Sequence, residues 1–173
     1  FLASRGYRTG TSSVETDRLD DVREISERAA ESGVKLFLPR DVVVTKNLNS
    51  GTSARIVPVT AIPDDMVIAD IGPVTATEFC QELIGCRTVV WNGPMGVFEV
   101  PEFAEGTRRV AATLANLGGT TVIGGGSTAD AVTRFELADY MTHVSTGGGA
   151  ALAVLAGEEL PGVEALDDME ETL

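Results

Sequence analysis

The sequence predicts an α/β fold in which a parallel sheet carries helices on both faces. Three observations predict it. Between residues 17 and 156, short apolar runs of strand length alternate with longer runs of helical periodicity, the pattern of βαβ units. Three glycine-rich turns (Asn92-Gly93-Pro94-Met95-Gly96, Gly124-Gly125-Gly126 and Gly147-Gly148-Gly149) each stand where a strand-like run passes into a helix-like one. Open α/β sheets bind their ligands at such junctions. Hydrophobic residues make up 43 % of the 173 residues, which suits one domain with a sizeable core and is too many for a disordered chain.

The elements follow in order. Residues 17–32 form an amphipathic helix with Leu19, Val22, Ile25, Ala29 and Ala30 on one stripe. Gly33 closes it, because glycine readily takes the left-handed conformation that ends a helix. Residues 34–38 and 42–45 read as short strands around Pro39, and residues 47–54 as a polar loop, expected to be the most mobile segment. Residues 66–69 read as a strand, 75–84 as a helix behind Gly72-Pro73, 88–91 as a strand with Trp91 buried in the sheet, and 101 or 102 to 116 as a helix. Strand 120–123, helix 128–135, strand 141–145 and helix 150–156 complete the alternation. There is no repeat or low-complexity stretch.

Charge and composition exclude several classes. A net charge of −13 and a pI near 4.4 argue against nucleic-acid or anionic-membrane binding, which need a basic face. No apolar run approaches the ~20 residues that span a bilayer. Part of the acidity lies at the tail, in Glu158, Asp167, Asp168, Glu170 and Glu171, and reads as a solvated end. Cys80 and Cys86 lie on one predicted helix, where six residues of rise, ~9 Å, exceed disulfide reach. Reduced thiols imply a cytoplasmic protein. The chain opens at Phe1 in a helical pattern with no signal peptide, as expected of a fragment.

The turns can be read chemically. Gly124-Gly125-Gly126 followed by Ser127 and Thr128 offers backbone N–H groups and hydroxyls at a helix start, suited to phosphate oxygens; equally, it could be a tight turn capped by Ser127. Glu99 could accept hydrogen bonds from two ribose hydroxyls, as acidic residues do in dinucleotide folds, or be a solvated surface carboxylate. Met95, Val97 and Phe98 could wall a base or pack in the core. His143, on a strand face with Met141 and Ser145, reads as structural. The amides of Gly147-Gly148-Gly149 could also face an anion, and the same turn could serve as a flexible hinge. Phosphoryl transfer needs cations to neutralise oxygen charge. Yet the only lysines are Lys35 and Lys46, and no Gly-x-x-x-x-Gly-Lys-Ser/Thr loop exists. No Gly-x-Gly-x-x-Gly follows a strand either, which disfavours a dinucleotide-binding oxidoreductase.

The runs VVWNGPMGVFE, TVIGGGSTADAV and HVSTGGGAALAVLAGEELPGVEAL resemble the C-terminal, nucleotide-binding half of phosphoglycerate kinase. Phe1-Leu2, Gly6-Tyr7, Leu38-Pro39-Arg40-Asp41 and Asp70-Ile71-Gly72-Pro73 continue the resemblance in the same order over nearly the whole chain. The resemblance implies a three-layer, Rossmann-like, partial domain. It also implies an enzyme that moves a phosphoryl group reversibly between ATP and 3-phosphoglycerate, giving ADP and 1,3-bisphosphoglycerate, with Mg²⁺ and domain closure, as a cytoplasmic monomer. Residues 1–173 would be the nucleotide-binding domain without its first part. The lysine-bearing glycine loop, a further triple-glycine turn and the substrate-binding N-terminal domain would all lie upstream, so the isolated chain is expected to be inactive.

Carried over by motif, Glu99 would hold the ribose, and Asn92, Gly93, Met95 and Ile68 would surround the base. Gly125, Gly126, Ser127 and Thr128 would bind phosphates, and Gly147, Gly148 and Gly149 would orient the transferred group. Three positions depart from the family pattern. Ser127 stands where an aspartate usually helps hold Mg²⁺, and Ile68 where a glycine is usual near the adenine. Ser13 replaces an expected leucine, with Val14 beside it. The first departure touches metal binding, the others the shape of the base pocket. The remaining alternative is a non-catalytic nucleotide-binding module.

Overall fold

The structure, a computed structural model, describes residues 1–165. The acidic-tail reading of Asp167, Asp168, Glu170 and Glu171 therefore lies outside the described residues. Six strands and six helices follow in the order α1 (Leu19–Glu31), β1 (Asp41–Thr45), β2 (Ala54–Pro58), β3 (Val67–Ile71), α2 (Pro73–Ile84), β4 (Thr88–Asn92), α3 (Glu105–Ala115), β5 (Thr120–Gly124), α4 (Gly126–Arg134), β6 (His143–Ser145), α5 (Gly148–Leu155) and α6 (Pro161–Glu164). Among the described residues no helix is long and apolar enough to cross a membrane.

The predicted parallel sheet is β4-β5-β6, with Thr88 opposite Thr120 and Val122 opposite His143. Along β4, Val89 and Trp91 point inward while Thr88, Val90 and Asn92 stay exposed, the alternation of a pleated strand. Val89, Trp91 and Ile123 pack with Val110, Ala111 and Leu114 of α3 and Val132 of α4. On the opposite pleat, Ala151 of α5 sits over Gly124. Helices thus lie on both faces, although Val90 is 40 % exposed. Trp91 is buried as expected, and its indole N–H donates to the Gly93 carbonyl at 2.7 Å.

The other three strands correct the expectation of a single parallel sheet. They form a separate antiparallel sheet in the order β2-β1-β3. A loop of residues 46–53 joins β1 to β2, too short for the crossover a parallel pair requires and suited to a hairpin. The hairpin partner β2 is missing from the sequence reading because it is an edge strand, mostly exposed along Ala54–Pro58, and so lacks the alternation that marks a strand. The 46–53 loop is tied down at two points. Asn47 Oδ1 accepts from Thr52 Oγ1 at 2.7 Å, and the Gly51 amide donates to Glu102 at 2.7 Å.

Residues 34–38 form no strand. They find no strand partner among the described residues and run beside α2, where Lys35 approaches Glu82 and Phe37 lines an apolar groove with Phe79 and Leu83. Helix α1 forms where predicted, and Gly33 follows it at φ +69°. Its apolar stripe gains no core, however; none of its residues is buried and Ile25 is 49 % exposed. Cys80 and Cys86 are free thiols.

Candidate functional site

The site is built at the carboxyl ends of β4, β5 and β6, where each strand of a parallel sheet releases its chain into a turn. After β4 the chain turns at Gly93, whose φ of +97° is left-handed and which glycine adopts without a steric penalty. The Gly93 amide donates to the buried Thr128 hydroxyl on α4 at 2.8 Å. Thr128, expected at the phosphates, therefore also anchors the neighbouring turn. The amides of Met95 and Gly96 donate to Thr107 Oγ1 at 3.0 and 3.2 Å, and the Val97 amide to the Ala69 carbonyl of β3 at 2.9 Å.

The side chains of this turn divide between core and surface. Phe98 is buried with Ala104 and Ala131, its ring edge-on to Phe135, so it packs in the core. Met95 is half-buried against the core of the parallel sheet, and Val97 is half-buried. Glu99 is exposed, positioned by the turn but free to meet a ligand. Ile68 lies on β3 one residue before the Ala69 anchor, and its amide donates to Ser12 Oγ at 2.9 Å. The segment beside Ser13 and the strand carrying Ile68 are therefore in direct contact, which brings these two departures from the family pattern close together.

The two triple-glycine turns meet. Gly125 precedes α4 at φ +92°, and a Cβ placed there would fall 2.8 Å from Asn92 Oδ1; one on Gly148 would fall 2.8 Å from the Gly125 Cα. Only glycine allows this approach. Asn92, Gly93, Gly125 and Gly148 are thus gathered around one point. Gly126, Ser127, Gly147 and Gly149 are exposed around it. Neither α4 nor α5 receives a side-chain bond from the residue that caps it, because both caps are glycine. The Gly148 amide at the start of α5 donates to the Thr146 carbonyl at 3.1 Å, while Gly126, Ser127 and Gly149 stand exposed behind their glycine caps, where helix-start amides can bind anions.

A magnesium ion is commonly held by one or two protein oxygens together with phosphate oxygens. Ser127 places one exposed hydroxyl at the start of α4, so it fits such an ion only as a neutral ligand. Asp130, one turn along, is paired with Arg134 at 2.9 Å. Among the described residues no three metal-ligating side chains cluster.

Sequence reasoning missed two residues behind the site. Asp70 is the penultimate residue of β3 and is 2 % exposed; its carboxylate accepts the Gly106 amide at 2.7 Å and the Ile71 amide at 2.8 Å. Burial, helped by the nearby charge of Glu105, pushes its pKa up to about 6 against these two hydrogen bonds. A carboxylate near the end of a strand, just before Ile-Gly-Pro, was a visible cue. Thr107, fully buried in the first turn of α3, had none, because its partners lie in another segment.

Comparison with known proteins agrees with this geometry. The sequence model of the family described as Phosphoglycerate kinase matches residues 1–158. A phosphoglycerate kinase from Synechococcus sp. is 52 % identical over 171 residues, which are 97 % of this chain and 42 % of that protein. One from Chlorobium limicola is 47 % identical, with 97 % and 43 % covered. The solved structure of phosphoglycerate kinase from Coxiella burnetii superimposes with a TM-score of 0.89 at 39 % identity, over 94 % of this chain and 42 % of that one. The chain thus spans about two fifths of the length of the relatives it matches. With the strand-end turns, the family-wide match and this superposition in agreement, the chain belongs to the phosphoglycerate kinase family.

Proposed function

We propose that this chain is the nucleotide-binding C-terminal portion of a phosphoglycerate kinase, and that the whole protein transfers a phosphoryl group between ATP and 3-phosphoglycerate. A carboxylate oxygen of 3-phosphoglycerate attacks the γ-phosphorus. As the new acyl-phosphate bond forms, the bond to the β–γ bridging oxygen breaks and ADP leaves with 1,3-bisphosphoglycerate. The observation that carries the reading is the convergence of Asn92, Gly93, Gly125 and Gly148 between the glycine-capped starts of α4 and α5.

In this reading the Gly126 and Ser127 amides face the nucleotide phosphates, and Glu99 takes the ribose hydroxyls. The turn from Met95 to Phe98, with Ile68 behind it, borders the base. Gly147 to Gly149 lie where the transferred group passes. Mg²⁺, when bound, would supply neutralisation of phosphate charge, and the Ser127 hydroxyl would be the residue offered to hold it. Such transfer is mostly positioning and charge neutralisation. The cations and acceptor site come from the remainder of the protein, so the isolated chain does not turn over.

Calorimetric titration of ADP into the full-length protein tests the reading. Glu99→Ala is expected to weaken binding by about 1.5–3 kcal/mol, the range for hydrogen bonds to a charged group. An unchanged affinity makes Glu99 a solvated surface carboxylate and removes the ribose assignment.

A further inference from the structure

The turn between β4 and α3 is held from three sides. Thr128 of α4 takes the Gly93 amide, the Ala69 carbonyl of β3 takes the Val97 amide, and Thr107 of α3 takes the amides of Met95 and Gly96 between them. Thr107 is 0 % exposed and follows Gly106, whose own amide is fixed by Asp70 at 2.7 Å. Thr113 and Thr133 turn their hydroxyls to their own helices, whereas those of Thr75 and Thr128 bond other segments, as that of Thr107 does. Thr113 bonds the Arg109 carbonyl at 2.9 Å, and Thr133 the Ala129 carbonyl at 2.7 Å. Thr107 instead holds a separate loop. A hydroxyl oxygen has two lone pairs, and both are occupied by consecutive amides, which fixes the orientation of the peptide between Met95 and Gly96.

We propose that Thr107 is a positioning residue for adenine-nucleotide binding: its buried hydroxyl fixes the Met95–Gly96 backbone, and so sets where Val97 and Glu99 meet the base and ribose. This rests on the nucleotide reading of that turn. Thr107 touches no ligand itself. It acts because displacing a binding group by about 1 Å is enough to lose much of its contribution.

The test uses the full-length protein with Thr107→Val, Thr107→Cys and Thr107→Ser, beside Glu99→Ala. ADP affinity, 3-phosphoglycerate affinity and thermal midpoint are measured at a temperature where circular dichroism shows each variant folded. Valine keeps the volume and removes the acceptor, so ADP affinity is expected to fall about tenfold or more while 3-phosphoglycerate affinity holds. Cysteine keeps the shape with a weak acceptor and is expected to lose about threefold, which keeps the question decidable if the valine variant does not fold. Serine restores the hydroxyl and is expected to bind ADP within about twofold of the parent. Wild-type ADP affinity in the valine or cysteine variant, with only the thermal midpoint lowered, overturns the proposal and leaves Thr107 purely structural. If Glu99→Ala weakens ADP binding in that case, the nucleotide reading stands without it. If Glu99→Ala has no effect either, the ribose assignment fails and the proposal with it.

Discussion

Four helices begin at the carboxyl end of a strand or just beyond the turn that leaves it, and their N-termini are completed in two ways. The starts of α2 and α3 are closed by buried carboxylates from other elements. Asp41 accepts the amides of Val74 and Thr75 at 3.1 and 2.8 Å and the Thr75 hydroxyl at 2.6 Å, while Asp70 accepts the Gly106 amide at 2.7 Å. The starts of α4 and α5 have only glycine in front of them. A buried amide without a partner costs about 1–3 kcal/mol, so a helix end packed in the interior must be satisfied by the protein. An end facing solvent is satisfied by water, which a phosphate oxygen can replace. The closed starts are architecture; the open ones are available to a ligand.

The largest expected effect tests this division directly. A Cβ on Gly106 would lie 2.3 Å from Asp70 Oδ1 and 2.5 Å from Ile71 Cγ1, whereas one on Gly126 would meet nothing within 4 Å. Gly106→Ala should destabilise the fold by about 3 kcal/mol, as overpacking at a rigid site does. Gly126→Ala should leave stability unchanged or raise it by about 0.5–1 kcal/mol through helix propensity, while weakening ADP binding by crowding the phosphates. Urea unfolding and ADP titration of both variants decide it. Equal stability losses would erase the distinction between closed and open starts.

The two closing carboxylates also differ from each other, and pH separates them. Burial acts to raise the pKa of Asp41, but hydrogen bonds from the Thr75 side chain and from the Thr75 and Val74 amides outweigh it and leave the value lowered from 3.8. Its stabilising contribution is therefore present above the unfolded value and lost as pH falls below it. For Asp70, burial and the charge of Glu105 win over two amide bonds, and the value rises from 3.8 to about 6. Between those pH values the folded state binds more protons than the unfolded one, so the Asp70 contribution is lost as pH rises through the window. Asp70→Asn should flatten the fall in stability between about pH 4 and 6, and Asp41→Asn should flatten the acid limb below it. Urea unfolding free energies across pH 3–7 check both. A parent profile without a falling segment between pH 4 and 6 would remove the contrast.

The smallest expected effect concerns an open start. Ser127→Asp puts a carboxylate at the N-terminus of α4, a change of about 0.3–1 kcal/mol toward cations and away from anions. Mg-ADP should bind more tightly and metal-free ADP no better, as parallel titrations with Mg²⁺ and with EDTA will read. Equal changes in both would place the metal away from Ser127.

Much of the candidate site was legible because its parts are local. A glycine run after an apolar run predicts a turn wherever it occurs, and Gly93, Gly125 and Gly148 fall at the turns they predict. The parallel sheet was legible from the alternation of strand-length and helix-length runs from β4 to β6. The antiparallel sheet was not, because β2 is an exposed edge with no alternating pattern and its pairing depends on β1. Residues 34–38 had the composition of a strand and no strand to pair with among the described residues.

By itself the sequence determined the order of elements from β3 to α5, the three strand-end turns, the buried Trp91 and the amphipathic α1, since each depends on residues within a few positions of one another. The tertiary structure alone decided which strands share a sheet, that Asn92 lies against both glycine turns, and that α1 finds no core. It also decided that Asp41, Asp70 and Thr107 serve amides outside their own elements, Asp41 across 34 positions of chain and Thr107 across 12. A buried hydrogen-bonding group must be satisfied by something, and the sequence alone does not say by what. Only the packed chain selects the partner.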